Sequence, residues 1–347
     1  MKSKYTRRRL VAVLALVSLV AAFLLYSNRG AIRNALDAVS GADYSGNGNG
    51  SVVLQIKAGD DGAIVAQELV DLDIVKTYRV VYQLILSRNV VFYPGSYNLK
   101  RQMSSSAALD ALENADNRIS NRVTIREGLR IGQVLLALAN ATSIPLTQLS
   151  DASKNLKEIG VPAVEVSAEG WLFPATYQFD PSLSATQVLR IMVDRTKQEL
   201  NRFAVAPEDW HRVLTLAALV QKEARMEADF YKAARVFQNR IDQGMLLQSD
   251  ATVSYGVGGT TVSTSAAERA DSNRYNTYKY LGLPIGPIGA PGAIAIDAAL
   301  NPANGDWLFF CTVNLKTGET VFSETYAGHQ KAVRQWLAWM RENPGYD

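Results

Sequence analysis

The chain has 347 residues, 48% hydrophobic and 20% charged, which suits a folded protein of two or three domains and excludes a disordered one. Its net charge of +3 belongs to the extreme N-terminus: of 36 basic residues Lys2, Lys4, Arg7, Arg8 and Arg9 precede any acid, and the 31 that remain face 33 acidic ones. No basic stripe is left for nucleic acid, and one cysteine with two histidines excludes an intrachain disulfide and makes a zinc site improbable.

After the basic residues 1–9 comes an uncharged run over residues 10–26, LVAVLALVSLVAAFLLY. Seventeen residues at ~1.5 Å each reach about 25 Å, the short end of what spans a bilayer. The positive flank predicts a single-pass signal anchor in the plasma membrane, with a cytoplasmic N-terminus and everything after it outside. A cleaved signal peptide is the rival, but Leu24, Leu25, Tyr26 and Asn28 fit a cleavage site poorly. Residues 27–50 read as a flexible linker, most plainly in the glycine-, asparagine- and serine-rich SGADYSGNGNGS of residues 40–51.

Beyond it the pattern predicts a strand at 52–56, helices around 64–70 and 78–87, a turn at Pro94-Gly95, a strand at 97–99 and a helix at 104–112. This is a small β-α-α-β-α unit. A strand at 121–125, a helix at 131–139, an aromatic loop-and-strand GWLFPATYQF at 170–179 and a helix at 185–203 follow. In GWLFP, core packing of Trp171 and Phe173 is preferred to stacking on a ligand. Pro207, with Glu208 and Asp209, starts a helix that runs to about Ala224. A second helix covers 229–243, and then a stretch rich in Gly, Pro, Ser and Thr extends to about Gly292, too long for an idle loop. A short helix at 293–300, a hairpin of 306–313 with 320–323 around KTG, and a helix at 329–341 complete the chain. The single Cys311 lies in the apolar WLFFCTV and reads as a buried, inert thiol. His329, after Gly328, reads as a surface or helix-start histidine.

The most informative stretch is TLAALVQKE at 215–223. Leu216, Leu219 and Val220 recur at helical spacing, and Glu223 ends their stripe. A carboxyl at the edge of an apolar face loses water, which raises its pKa toward what a general acid needs near neutrality. The alternative is an ordinary glutamate paired with Lys222 or Arg225. Downstream, Gln248 and Asp250 in LLQSD, Tyr255, and Asn276, Thr277 and Tyr278 in YNTY supply amide, carboxylate, hydroxyl and phenol groups that suit sugar hydroxyls and acetamides.

EGWLFP (169–174), VQKE (220–223), VFQN (236–239), MLLQSD (245–250), NTY (276–278), GLPIGPI (282–288) and PG (291–292) resemble, in order and spacing, the bacterial endolytic murein transglycosylases of the YceG-like family. The resemblance covers about residues 51–345. It implies an α+β ectodomain: a LysM-like module at 51–115, a connecting α/β region at 116–206 and a catalytic domain at 207–345. It also implies cleavage of the bond between N-acetylmuramic acid and N-acetylglucosamine in nascent glycan strands, leaving a 1,6-anhydro end and terminating elongation. No cofactor is implied. The expected partners are peptidoglycan strands, the plasma membrane and wall synthases. The family's catalytic glutamate maps onto Glu223, with Gln221 standing where the family carries a first acid. Ile285 and Gly289-Ala290 depart from its substrate loop. One visible carboxylate suffices because the substrate's own C6 hydroxyl acts as nucleophile, whereas an ordinary glycosidase uses two acids; an assisting role for Asp250 and a loop-capping one both stay open. The alternative is a non-catalytic, membrane-anchored peptidoglycan-binding scaffold for wall synthases. A hydrolytic muramidase is a third reading.

Overall fold

A computed structural model of the chain describes residues 42–259 and 264–345, in two compact units. Of the described residues, those from 42 to 120 together with Asp180–Ser182 make the N-terminal unit, and Asn121–Phe179 with those from Leu183 onward make the C-terminal one. The expected span at residues 10–26 lies outside the described residues, among which no helix is long and apolar enough to cross a membrane.

In the N-terminal unit, β1 (Asn47–Ile56) begins earlier than its composition suggests. Asn47 and Asn49 already pair with Met103 and Arg101, so the linker expected to reach residue 50 is in part strand. The misleading glycines have a steric purpose: Gly48 has φ +73°, and a Cβ there would strike the Arg101 carbonyl. Past a register shift between Asn49 and Val52, Leu54 and Ile56 alternate inward. Asp61 caps α1 (Gly62–Asp71) by accepting from the N–H groups of Ala63 and Ile64. The helix α2 (Tyr78–Arg88), the strand β2 (Gly95–Met103), the helix α3 (Ser105–Glu113) and a short β3 (Arg118–Ile119) follow. The sheet order is β1-β2-β3, all antiparallel, and Leu54, Val65, Leu69, Val81, Ile85 and Leu109 share one core beneath it.

The C-terminal unit opens with β4 (Asn121–Thr124), antiparallel to the distant β5 (Thr176–Phe179). Between them lie α4 (Ile131–Ala141) and α5 (Leu146–Lys154), the latter not anticipated from sequence. Trp171 and Phe173 are buried in the core, as the GWLFP pattern suggests. Next come α6 (Ala185–Arg202), a 3-10 turn at Pro207–Asp209, α7 (Trp210–Glu223) and α8 (Glu227–Asp242). The presumed long loop contains α9 (Asp250–Gly256) and α10 (Ala266–Arg269), before α11 (Ala293–Leu300). The chain ends with the hairpin β6 (Phe309–Asn314)–β7 (Glu319–Ser323) and with α12 (Tyr326–Glu342), which packs on β6. Cys311 on β6 is half-buried and not sealed in the core as expected, and burial pushes its thiol pKa up. The two units mix helices with small antiparallel sheets.

The centre of this unit is α7. Every residue from Val213 to Val220 is buried, so the helix is enclosed on all sides and not along one stripe. It packs against α8 and α11. Leu214, Leu216 and Leu219 are at most 1% exposed, each contributing roughly 1.5–3 kcal/mol through burial. Such a helix has no freedom to slide, and its last residue is held accordingly.

Candidate active site

That last residue is Glu223; the backbone turns extended at Ala224, whose N–H still bonds the Val220 carbonyl. Its carboxylate oxygen accepts a hydrogen bond from Ser249 Oγ at 2.5 Å. The residue as a whole is half-buried, but its carboxyl sits deep enough that loss of water raises its pKa. The Ser249 hydrogen bond opposes that rise and the negative charge of Asp250 adds to it. Neither expected ion-pair partner is used: Lys222 Nζ donates to the Gly128 carbonyl at 2.6 Å, and Arg225 Nη1 donates to that of Leu315 at 3.1 Å.

Glu223 lines a cleft of about 600 Å³, together with Gln248, Ser249, Asp250 and Tyr278. Four of the residues selected from sequence are therefore brought together. Tyr278 donates its hydroxyl to Asp250 Oδ1 at 3.0 Å; Thr264 donates to the same oxygen, and Arg269 Nη1 lies 3.9 Å from it. Burial, then the Asp250 charge, pushes the Tyr278 hydroxyl up to about 12, so it stays a donor. Asp250 is thus tied on one side to the loop and stands near Glu223 as a fixed negative charge. Gln248 is exposed in the left-handed region (φ +53°), anchored by its backbone N–H to the Thr277 carbonyl at 3.1 Å.

Tyr255, Asn276 and Thr277 are not among the residues that line this cleft. Asn276 is wholly buried; its Nδ2 donates to the carbonyls of Arg269 and Asp271 at 3.0 and 2.6 Å, and its Oδ1 accepts from the Tyr278 N–H at 3.0 Å. Thr277 Oγ1 accepts the Ser249 N–H at 3.0 Å and lies 2.8 Å from the Thr252 hydroxyl. These two residues hold Tyr278 and Ser249 in place, which corrects the expectation that they meet sugar directly. Tyr255 donates to Glu169 Oε2 at 3.0 Å, beneath the Arg130 guanidinium at 5.1 Å from its ring. Glu169 is buried, also accepts the Ile131 N–H at the start of α4, and has its pKa raised by burial against those hydrogen bonds. Gln221 accepts the Gly292 N–H at 2.9 Å, so an amide at this position binds the Pro291-Gly292 loop to α7.

Several lining residues were not singled out from sequence. Ser249 stands between two that were, and its contact with an acid 26 positions away left no local mark. Arg240, buried on α8, donates Nε to the Leu308 carbonyl at 2.7 Å and Nη1 to those of Leu246 and Leu247 at 3.2 and 2.9 Å, clamping the LLQSD segment against the hairpin. Phe309, Phe310, Tyr326 and His329 form an aromatic side of the lining, which the basic side chains of Arg130 and Lys222 also join. His329 sits on the first turn of α12, as the helix-start reading has it, but it also lines the cleft, which the sequence did not indicate. Among the described residues no group of three or more His, Cys, Asp or Glu is placed to hold a metal ion.

Comparison with known proteins places this arrangement among others of its kind. The sequence pattern of the YceG-like family matches residues 54–335. A Bacillus subtilis protein named endolytic murein transglycosylase is 29% identical over 316 residues, covering 84% of this chain and 86% of that one. A Streptococcus pneumoniae protein of the same name is 30% identical over 176 residues, 48% of this chain and 32% of that one. The crystal structure of a YceG-like protein from Listeria monocytogenes superposes with a TM-score of 0.54 at 25% identity, covering 81% of this chain and 99% of the other.

Proposed function

The chain belongs to the YceG-like family, and from that membership and the acid at the end of α7 we propose that it is a peptidoglycan lytic transglycosylase, a lyase acting on glycan strands. The observation that carries the reading is Glu223: a carboxyl raised in pKa by burial, fixed by a rigid helix, opening on a cleft lined with groups that hydrogen-bond sugars. A raised carboxyl pKa favours the protonated acid that must give its proton to a glycosidic oxygen.

In this reading Glu223 gives its proton to the leaving oxygen of the bond between N-acetylmuramic acid and N-acetylglucosamine. Left as a carboxylate, it takes the proton of the muramyl C6 hydroxyl as that oxygen closes on C1, giving the 1,6-anhydro end. Ser249 donates to the carboxylate between the two steps and steadies its orientation. Asp250 favours the protonated state of Glu223 before reaction, while its own oxygen is engaged by Tyr278 and Thr264. The intramolecular attack carries an effective concentration worth up to roughly 7–11 kcal/mol, which is why a second free carboxylate is unnecessary.

The remaining parts of the reading rest on the sequence. Residues 10–26 anchor the chain in the plasma membrane, residues 51–115 act as a LysM-like module that holds glycan, and residues 207–345 cut. Tethering puts the cut near emerging strands, where it ends elongation beside the wall synthases. The test is incubation of glycan strands with the wild-type chain and with Glu223→Gln, followed by mass spectrometry. Anhydro-ended fragments from the wild type and none from the variant are expected; fragments heavier by one water would mean hydrolysis, and full cleavage by the variant would remove the mechanism.

A further inference from the structure

The aromatic wall of the cleft has no part in the proton transfers described above. Tyr326, the first residue of α12, lines the cleft and is 62% exposed, so its ring is open to a ligand. Its centroid lies 5.9 Å from that of Phe309 and 6.3 Å from that of His329, and Phe309 and His329 stack at 5.4 Å with 21° between their planes. The three rings form one platform, fixed because Phe309 begins β6 and His329 sits on the first turn of the helix packed on it.

The polar chemistry of that platform is unusually restricted. His329 Nδ1 is sealed from solvent and has no hydrogen-bond partner. A proton on that nitrogen would be a stranded donor, so the environment assigns the neutral tautomer protonated at Nε2. Burial, then the Arg240 charge, lowers the pKa of His329 and disfavours a second proton. Arg240 itself directs its donors to the carbonyls of Leu246, Leu247 and Leu308. The wall thus offers flat aromatic rings, the Tyr326 hydroxyl and one uncharged N–H, with the Arg240 guanidinium 5.1 Å from the Phe309 ring. Flat aromatic faces beside hydrogen-bonding groups suit a pyranose, which has a flat C–H face and hydroxyl or acetamide acceptors at its rim.

We infer that Tyr326, Phe309 and His329 form a saccharide subsite of the cleft, which takes an N-acetylated hexose ring flanking the scissile bond. Tyr326 stacks on the sugar's C–H face and His329 Nε2–H donates to an acetamide or hydroxyl oxygen. The inference rests on the proposed glycan substrate but concerns binding, not proton transfer, and is separable from it.

Binding of a peptide-free tetramer of N-acetylglucosamine is to be measured by calorimetry on the full-length Glu223→Gln chain in detergent, with and without further substitutions; kcat and KM for glycan strands are to be measured in the otherwise wild-type chain. Tyr326→Ala and His329→Phe are each expected to weaken tetramer binding and raise KM about three- to tenfold, with kcat within about twofold. His329→Gln, whose amide nitrogen reaches the position of Nε2, is expected to recover binding to within about twofold, and Tyr326→Phe likewise keeps its platform. The subsite is refuted if His329→Phe binds the tetramer like the parent, if Gln is no better than Phe, or if the losses appear only with peptide-bearing strands. Cleavage by the wild type without these shifts would sink the subsite alone; shifts in a chain that cuts no glycan would sink the lyase reading alone.

Discussion

Asn276 separates a scaffold role from a ligand role most sharply. Alanine at this position removes both donors from the carbonyls of Arg269 and Asp271 and the acceptor from the Tyr278 N–H. The side chain is 0% exposed, so water does not readily replace them. At about 1–1.5 kcal/mol for each abandoned backbone group, the loss is about 3–5 kcal/mol, a large part of the ~5–15 kcal/mol that stabilises a typical protein. The assay is urea denaturation followed by tryptophan fluorescence. All five tryptophans lie in the C-terminal unit, so the signal reports on that unit alone. Asn276→Asp, which keeps the size but presents only acceptors to two carbonyls, is expected to fare no better. An unmoved midpoint combined with a raised KM for glycan would refute the scaffold reading and return Asn276 to direct sugar binding.

Glu223→Gln is expected to lower the cleavage rate by about 10²–10⁴. Its effect on stability has a definite sign. Because burial raises the folded-state pKa of Glu223, the stability linked to that proton is complete below the unfolded value of ~4.3 and is lost as pH rises through the folded value. The Gln variant should therefore melt above the wild type at about pH 8 and alongside it at about pH 4; an equal gap at both would contradict the assignment. Gln221→Leu strands the Gly292 N–H and should cost about 1–3 kcal/mol, while Gln221→Glu keeps an acceptor and should lie close to wild type, both read from the tryptophan transition. Gly170→Ala adds a Cβ against the Pro287 ring at φ +78° and should destabilise by at least about 2 kcal/mol; a neutral effect would mean that the EGWLFP turn relaxes freely.

Much of this was legible in the order of residues. The apolar periods of α1, α2, α6 and α8 mark their helices to within a few residues, because burying one face of an element leaves a local rhythm. Glu223 stood out for the same reason, as a carboxylate three residues beyond the buried run Val213–Val220 on the same helix. Position 48 shows where composition misleads, since a glycine that permits two strands to approach reads the same as a glycine that loosens a linker. The helices α9 and α10 were hidden because both are short and polar, with too few turns to show a period.

The roles of the polar residues were legible only in part. Asn276, Thr277 and Tyr278 are adjacent in sequence and equally suited to sugar, yet the first two are buried as braces and the third faces the cleft. Ser249 meets Glu223 across 26 positions, and Arg240 and His329 join the cleft from separate helices. Periodicity and motif alone determined the long helices and which acid ends the core helix, because those depend on neighbours within a few residues. Which hydroxyl meets that acid, and which side chains face substrate, only the tertiary structure decided, because a hydrogen bond is directional and its partners come from distant segments of the chain.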